Sequence, residues 1–270
     1  MIKSKGLDSR IQGEAAAQRR DYLPYVLLLP ALIFLLVVTM PPFIYGLVVS
    51  FTRWSLTRPD RPITFIGLEN YRTILHDPSF GTILGNTLVY TIASVGLSFL
   101  IGFGIALLLN RKLRAKEIYQ TLILIPMVTT PMVIALAFRY MYNSEYGILV
   151  YFLSLLGFDN VSLLGEPGTA IFSIVAVEIW EWTPFMILVL LAGLEALPRR
   201  PYEAAQMDGA SRLQMFRYVT LPQLRRVIIV VLLIRLMDAF RSFDLIYMMT
   251  RGGPGISTET LILSTWRQGF

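Results

Sequence analysis

PYEAAQMDGASRLQMFRYVTLPQ, residues 201–223, decides how this chain is interpreted, because a stretch with helical character separates two long apolar runs. Pro201 suits the first turn of a helix, and Gly209 permits a backbone conformation that residues with a Cβ resist. Ser211 is a suitable N-cap for a second helix, whose apolar residues recur at three-residue steps at Leu213, Phe216 and Val219. The stretch therefore predicts two short helices about a turn, with Pro222 separating the second helix from the next span.

The composition around this stretch is that of an integral membrane protein. Of the 270 residues, 55% are hydrophobic and only 16% are charged, and the mean hydropathy is +0.60. A soluble domain carries about 25% charged residues. The chain has no cysteine and one histidine, His76, which excludes disulfides, thiolate chemistry and a His/Cys metal site. The net charge of +6 reflects the excess of Lys and Arg that membrane proteins carry in their cytoplasmic loops. We therefore expect no nucleic-acid partner.

Five apolar runs are long enough to cross a membrane as helices, at about 23–51, 83–109, 119–141, 170–194 and 225–248. Helices are required because lipid offers no hydrogen-bond partner to the backbone. Pro41 and Pro42 predict a break near the outer end of the first run. A sixth apolar segment begins near Leu261, and we expect a last span to be missing from this sequence.

Lys and Arg are unevenly distributed between the two sets of loops. The N-terminal segment 1–22 and loops 110–118 and 195–226 hold fifteen of them, whereas loops 52–82 and 142–169 and the tail hold six. The positive-inside rule therefore predicts a cytoplasmic N-terminus and a cytoplasmic position for residues 201–223. We accordingly predict a cytoplasmic segment at 1–22 and a transmembrane domain at 23–270 that includes a cytoplasmic loop at 195–225.

Six charged residues lie away from the ends of the predicted fourth and fifth spans, at Glu178, Glu181, Arg235, Asp238, Arg241 and Asp244. Charges at this depth are costly and face a protein interior or a wet cavity. One interpretation is that Asp238 and Arg241 neutralise each other or pair with Glu178 and hold the bundle together. The other is a polar pathway, in which carboxylates bind sugar hydroxyls and rings lie against the sugar's apolar faces. The candidate rings are Trp180, Trp182, Phe240, Phe243 and Tyr247.

Physical chemistry alone allows two interpretations of what residues 201–223 contact. The second helix could lie at the interface and extend its arginines to lipid headgroups. Alternatively, small residues at Ala204, Ala205 and Ala210 would let another protein approach the turn closely, and Glu203 and Asp208 would offer carboxylates to a basic partner.

A known signature favours the second interpretation. The pattern E-A-A-x-x-D-G-A, followed by F and L-P, resembles the cytoplasmic EAA signature of ABC importer permeases, and stands here as Glu203, Ala204, Ala205, Asp208, Gly209, Ala210, Phe216, Leu221 and Pro222. The segments GLENY (67–71), NTLVYT (86–91), MDAFRSFDLIYMMTRGGPG (237–255) and TETL (258–261) indicate the carbohydrate-type subfamily. The chain is thus similar to permeases for maltose and glycerol 3-phosphate.

The resemblance implies an all-α, polytopic type I importer permease in the bacterial cytoplasmic (inner) membrane, which would move a sugar, polyol or glycerol phosphate. It implies a heterodimer with a second permease, two ATPase subunits that hold ATP and Mg²⁺, and an extracytoplasmic solute-binding protein. The residues around Ala204–Ala210 would form a coupling helix docked on the ATPase, with Glu203 accepting a hydrogen bond and Gly209 permitting the turn. This chain would bind no cofactor or metal itself.

Two other classes of function are weaker. A self-sufficient ion- or proton-coupled carrier could use the charged residues of the fifth span as a proton or ion relay. Such a carrier would not need a cytoplasmic element that docks on another protein. A membrane-embedded enzyme could use the carboxylates as acid and base. However, the sequence has no nucleophile–base set, and the absence of G-x-x-x-x-G-K-[ST] excludes a P-loop ATPase.

Overall fold

The computed structural model describes residues 5–54, 62–111, 114–158 and 161–269, with side chains from residue 22 onward. The chain divides into two units, Met1–Asp77 and Pro78–Phe270. Within the described ranges the architecture is helical, apart from one two-stranded antiparallel pair. The predicted N-terminal segment 1–22 is covered from Lys5 only, and the backbone of residues 5–22 belongs to the first helix.

The first unit consists of α1 (Lys5–Ser50), β1 (Thr52–Arg53), β2 (Thr64–Phe65) and α2 (Glu69–His76). Thr52 pairs with Phe65. Asn70, from the GLENY segment, donates from Nδ2 to the carbonyls of Ser50 and Thr52 at 2.8 and 2.9 Å. This asparagine therefore ties α2 to β1 and to the end of α1, where the Ser50 carbonyl has no partner within the helix.

The predicted break at Pro41 and Pro42 is wrong, because both residues lie within α1. The segment Tyr22–Ser50 is long and apolar enough to cross a membrane, and every side chain from Tyr22 to Val48 is exposed. Such a uniformly apolar surface suits hydrocarbon, where the helix satisfies its own backbone and each proline removes only one donor.

The second unit contains ten α-helices and one π-helical turn among its described residues. They are α3 (Pro78–Leu109), α4 (Lys116–Val128), α5 (Pro131–Met141), α6 (Ile148–Leu155), α7 (Pro167–Glu195), α8 (Arg200–Met207), α9 (Arg212–Met215), the π-helical turn (Phe216–Thr220), α10 (Leu221–Phe240), α11 (Asp244–Thr250) and α12 (Leu261–Gly269). The most extensive helix–helix contact joins α3 and α7, and α10 packs against both. Their buried faces hold most of the core.

By length and composition, three helices in the described ranges could cross a membrane, namely Tyr22–Ser50, α3 and α7, and the pair α4–α5 makes a fourth if it counts as one span. The predicted third span is bent by 90° between these two helices. Pro131 begins α5, and the residue before a proline is pushed out of the helical region. Thr129 and Thr130 are both extended, which accounts for the bend.

The predicted fifth span, 225–248, is divided, because α10 ends at Phe240 and α11 begins at Asp244. α10 is 20 residues long but carries four charged residues. Irregular backbone at membrane depth is tolerated where it lines a cavity. Residues 241–243 line the polar cavity described below, which is consistent with this rule.

Gly102 marks a close approach between α3 and α7. A Cβ at this position would lie 2.6 Å from the Cβ of Met186, whereas a Cβ at Gly104, on the same helix, would meet nothing within 4 Å. The absence of a side chain at Gly102 therefore sets the distance between these two helices.

We expect Gly102→Ala to lower the free energy of unfolding by about 1–3 kcal/mol, because the added methyl group overpacks the contact with α7. Gly104→Ala is the matched control, and we expect no loss from it, because alanine is the better helix former. Thermal unfolding of the detergent-solubilised protein measures both variants. Equal midpoints for the two would contradict the close approach.

Candidate functional site

The turn after α8 has the geometry of a Schellman motif. Gly209 has a φ of +72°, in the left-handed region, and nothing lies within 4 Å of where its Cβ would be. Its N–H donates to the carbonyl of Gln206 at 3.0 Å, and the N–H of Ala210 donates to the carbonyl of Ala205 at 2.9 Å. These two bonds satisfy the end of the helix. The predicted turn at Gly209 is confirmed by the backbone.

The second helix of the stretch begins with a capping box. The N–H of Gln214 donates to Oγ of Ser211 at 3.3 Å, and the N–H of Ser211 donates to Oε1 of Gln214 at 2.7 Å. Two N–H groups that the start of a helix leaves without partners are satisfied by this exchange. The predicted N-cap at Ser211 is therefore confirmed.

Pro222 does not separate the second helix from the following span, as was predicted. It lies in the first turn of α10, which follows the π-helical turn Phe216–Thr220 directly. A proline has no N–H to bond the carbonyl four residues earlier, that of Tyr218, and its ring would clash with that carbonyl. A π-helical turn at 216–220 widens the helix at this point, so the chain stays helical from Arg212 to Phe240.

The surface of this stretch, which we call the docking loop (residues 200–222), combines charge with apolar side chains. Glu203, Ala204, Asp208, Gly209 and Pro222 are exposed, and Ala205, Ala210 and Leu221 are partly buried. Met207 is 89% exposed and Leu213 is 74% exposed, one on each side of the turn. The sequence pattern placed Leu213 on an apolar stripe and did not single out Met207.

A polar cavity of about 170 Å³ lies where α7, α10 and α11 meet. Its lining consists of Pro131, Glu178, Glu181, Trp182, Arg235, Asp238, Arg241, Ser242, Phe243, Asp244 and Leu245. Seven of the ten predicted pathway residues are therefore brought together, namely Glu178, Glu181, Trp182, Asp238, Arg241, Phe243 and Asp244. Charged side chains from separate helices thus line one polar cavity, as is expected of charges at membrane depth.

The remaining three predicted pathway residues, Trp180, Phe240 and Tyr247, do not line the cavity. Trp180 is half exposed and packs edge-on against Phe138, with ring centroids 5.2 Å apart. Phe240 is also half exposed. Tyr247 stacks on Phe243 at 5.2 Å, and its other neighbour, at 5.0 Å, is Trp266.

The centre of the cavity is a buried ion pair between α7 and α10. Nη2 of Arg235 lies 2.8 Å from Oε1 of Glu178, and the two residues are 0% and 2% exposed. The guanidinium also lies over the ring of Trp182, 4.3 Å from the centroid. Oε2 of Glu181 and Nε of Arg235 are buried with no hydrogen-bond partner among the residues described. Glu178 therefore pairs with Arg235 and not with Arg241, and the pairing with Arg241 was one of the alternatives left open by the sequence.

Two polar residues next to the cavity were missed by the sequence reasoning. The buried hydroxyl of Tyr90, on α3, donates to Oγ of Ser242 at 2.9 Å. Ser242 lies in the irregular segment between α10 and α11, so this bond anchors the end of α10 to α3. A tyrosine in the NTLVYT segment was visible, but its partner lies 152 residues away and no local pattern indicates it.

The NTLVYT and TETL segments also meet in the structure. Nδ2 of Asn86 donates to the carbonyls of Ile256 and Glu259 at 2.9 and 3.1 Å, and the N–H of Leu261 donates to Oγ1 of Thr87 at 2.9 Å. Glu259 is buried and bonds to Arg267 at 2.5 Å. These contacts hold the loop between α11 and α12 against α3.

Among the described residues, no group of three or more His, Cys, Asp or Glu side chains has the arrangement of a metal site. The four carboxylates around the cavity are accompanied by two arginines, and one carboxylate is already paired with Arg235. Hydrogen bonding to a polar solute is the chemistry that this donor and acceptor set can perform.

Comparison with known proteins places these features in a family. Residues 98–270 match the family described as "Binding-protein-dependent transport system inner membrane component". The trehalose/maltose transport system permease protein MalF of Thermococcus litoralis is 39% identical over 245 residues, which cover 91% of this chain and 82% of that protein. The trehalose transport system permease protein SugA of Mycobacterium tuberculosis is 38% identical over 251 residues, covering 93% and 79%.

Two solved structures share the fold. One is a bacterial ABC transporter involved in the import of the acidic polysaccharide alginate, with a TM-score of 0.74, 26% identity and coverage of 97% of this chain and 87% of that chain. The other is a bacterial alginate ABC transporter in complex with an alginate pentasaccharide-bound periplasmic protein, with a TM-score of 0.72, 26% identity and coverage of 92% and 82%. The predicted all-α importer permease fold is thereby confirmed.

Proposed function

The chain belongs to the family of binding-protein-dependent transport system inner membrane components, the permease subunits of ABC importers, and on this basis we propose that it imports a sugar or sugar-like solute. In this family the membrane subunit is not catalytic, and a separate chain hydrolyses ATP. Relatives named for trehalose and maltose support a sugar as the solute. The docking loop is the single observation that carries the mechanism.

In the proposed mechanism, the docking loop binds a cytoplasmic ATPase subunit. α8 is the coupling helix, and its exposed Glu203 accepts a charge-assisted hydrogen bond from that subunit. Met207 and Leu213 supply apolar contacts on either side of the turn, and Gly209 keeps the turn narrow enough for close approach. Closure of the ATPase dimer pushes α8 and shifts the permease between inward- and outward-open states.

The partners follow from the same proposal. This chain pairs with a second permease, and two ATPase subunits hold the ATP and Mg²⁺. A solute-binding protein docks on the opposite face, as supported by the alginate transporter solved with its periplasmic protein. The Lys- and Arg-rich N-terminus and docking loop lie in the cytoplasm of a bacterial cell, and residues 23–270 form the transmembrane domain in the inner membrane.

The polar cavity is the proposed part of the solute pathway that this chain lines. Asp238, Asp244 and Glu181 are available to accept hydrogen bonds from hydroxyl groups, whereas Glu178 already binds Arg235. The rings of Trp182 and Phe243 lie in the same wall. Carboxylates for hydroxyls and rings for C–H faces are the combination that a sugar requires.

Uptake by the reconstituted complex tests this function. Proteoliposomes with this chain, its second permease, the ATPase dimer and the binding protein are expected to accumulate radiolabelled trehalose, maltose or glycerol 3-phosphate when ATP is inside. Omission of the ATPase subunits is the control and is expected to abolish uptake. Uptake that persists without them under a proton gradient would overturn the proposal in favour of an ion-coupled carrier.

A further inference from the structure

One side-chain hydrogen bond joins α8 to the start of α10. The hydroxyl of Tyr202 donates to Oγ1 of Thr220 at 2.9 Å. The hydroxyl of Thr220 in turn donates to the carbonyl of Met215 at 3.4 Å. Thr220 is buried. Neither Tyr202 nor Thr220 belongs to the signature that identified the docking loop, yet their hydroxyls connect its two halves across 18 residues.

Thr220 is the last residue of the π-helical turn, which begins at Phe216. A π-helical turn holds its backbone by bonds to the fifth preceding residue, and such turns occur often at functional sites. The bond from Thr220 to Met215 spans the same five residues, so its side chain supports the wide turn directly. The Tyr202 hydroxyl therefore attaches α8 to the π-helical turn. Within the helical stretch from Arg212 to Phe240, this turn is where the backbone hydrogen bonds depart from the α-helical pattern.

The π-helical turn is also fixed to the bundle core on its other side. The ring of Phe216 lies 5.8 Å from that of Phe103 on α3, and Phe103 stacks on Phe99 at 5.6 Å. Movement of the turn is thus constrained by α3. A push on α8 is expected to rotate the turn about this aromatic contact rather than displace it freely.

α10 continues from the turn without interruption to Phe240. Arg235 lies fifteen residues beyond Thr220, a distance of about 22 Å along a helix that rises 1.5 Å per residue. Arg235 holds Glu178 in the polar cavity. A continuous helix thus links the hydroxyl pair to the buried ion pair.

Space for movement exists beside the hydroxyl pair. Tyr202 and Thr220 line a cleft of about 790 Å³ whose other walls are the ends of α3 and α7 and the start of α4. The cleft leaves space next to the hydrogen bond between Tyr202 and Thr220.

We propose that Tyr202 and Thr220 are positioning residues for the coupling of ATP hydrolysis to transport, because their hydrogen bond clamps α8 to the π-helical turn that begins α10. The proposal rests on the proposed importer function. With the bond intact, displacement of α8 by the ATPase turns α10 and acts on the cavity. Without it, α8 follows the ATPase while α10 lags behind, so that ATP is hydrolysed without transport.

The test measures ATP hydrolysed per sugar imported in proteoliposomes that hold the whole complex, with whichever of trehalose, maltose or glycerol 3-phosphate the wild type imports best. Tyr202→Phe removes only the hydroxyl, and we expect it to raise the ratio about fivefold, the equivalent of one hydrogen bond. Tyr140→Phe is the matched control, because Tyr140 lies on α5, outside both the docking loop and the polar cavity, and is 64% exposed. Its ratio is expected to equal that of the wild type.

Thr220 provides a second, independent pair of variants. Thr220→Val removes the acceptor and is expected to raise the ratio as Tyr202→Phe does, whereas Thr220→Ser keeps the hydroxyl and is expected to restore the wild-type ratio. The double variant Tyr202→Phe, Thr220→Val is expected to be no worse than either single variant.

Unchanged ratios in Tyr202→Phe and Thr220→Val, in a complex whose wild type imports sugar, would overturn the clamp and leave the importer function standing. Absence of uptake in the wild type would instead overturn the proposed function. If Tyr202→Phe fails to assemble with the ATPase, the comparison of Thr220→Val with Thr220→Ser decides the question.

Discussion

Arg235→Met is expected to lower the free energy of unfolding by about 3–5 kcal/mol, because it leaves the carboxylate of Glu178 buried without its partner. The guanidinium is fully buried, 2.8 Å from that carboxylate, and covers the ring of Trp182. Methionine fills much of the volume but offers neither a charge nor a donor. The thermal unfolding midpoint of the detergent-solubilised complex and the abundance of the chain in the membrane measure the loss.

The double variant Arg235→Met, Glu178→Leu separates the pair from its packing. Removal of both charges is expected to recover most of the stability, since a buried ion pair and an apolar pair of similar volume are often equivalent. Arg241→Met is the matched control, because Arg241 lines the same cavity and makes no ion pair within the described residues. If Arg235→Met unfolds at the same temperature as Arg241→Met, the buried pair does not stabilise the bundle.

Gly209→Val is expected to reduce sugar uptake by the reconstituted complex about tenfold or more, while the chain still inserts into the membrane. The φ of +72° at this position is strained for any residue with a branched Cβ, by roughly 1–3 kcal/mol. Nothing lies within 4 Å of the added Cβ, so the strain falls on the turn and not on the bundle. The distorted docking loop then no longer fits the ATPase.

Gly209→Asn is the matched control for this variant, because asparagine tolerates the left-handed region. We expect it to keep most of the uptake, and both variants are compared by uptake and by copurification of the ATPase subunits. Wild-type uptake in Gly209→Val would show that the Schellman turn has no part in coupling.

Local chemistry made the docking loop predictable. The freedom of Gly209 to adopt a positive φ and the capping ability of Ser211 are properties of single residues, and the structure places both as expected. The turn could thus be predicted from a few neighbouring residues. The exposure of Met207 and Leu213 could not be predicted in this way, because exposure depends on what packs against a helix, and periodicity gave only an apolar stripe.

Three of the errors along the chain share one cause. Pro41, Pro42 and Pro222 were each read as helix boundaries, yet all three lie inside helices. A proline removes one donor and disturbs one carbonyl, and the surrounding helix can compensate, as the π-helical turn before Pro222 does. At Pro131, by contrast, the chain bends by 90°. The same residue type gives either outcome, so a proline by itself does not place a helix boundary.

The membrane class, the apolar segments, the turn at Gly209 and the family could all be inferred from the amino-acid sequence, because each depends on composition or on a short ordered pattern. The tertiary structure alone decided that Glu178 pairs with Arg235, that Tyr90 binds Ser242 and that Tyr202 binds Thr220. These partners lie 57, 152 and 18 residues apart. A buried polar group takes the partner that helix packing brings within about 3 Å, and that distance is a property of the folded bundle rather than of either residue.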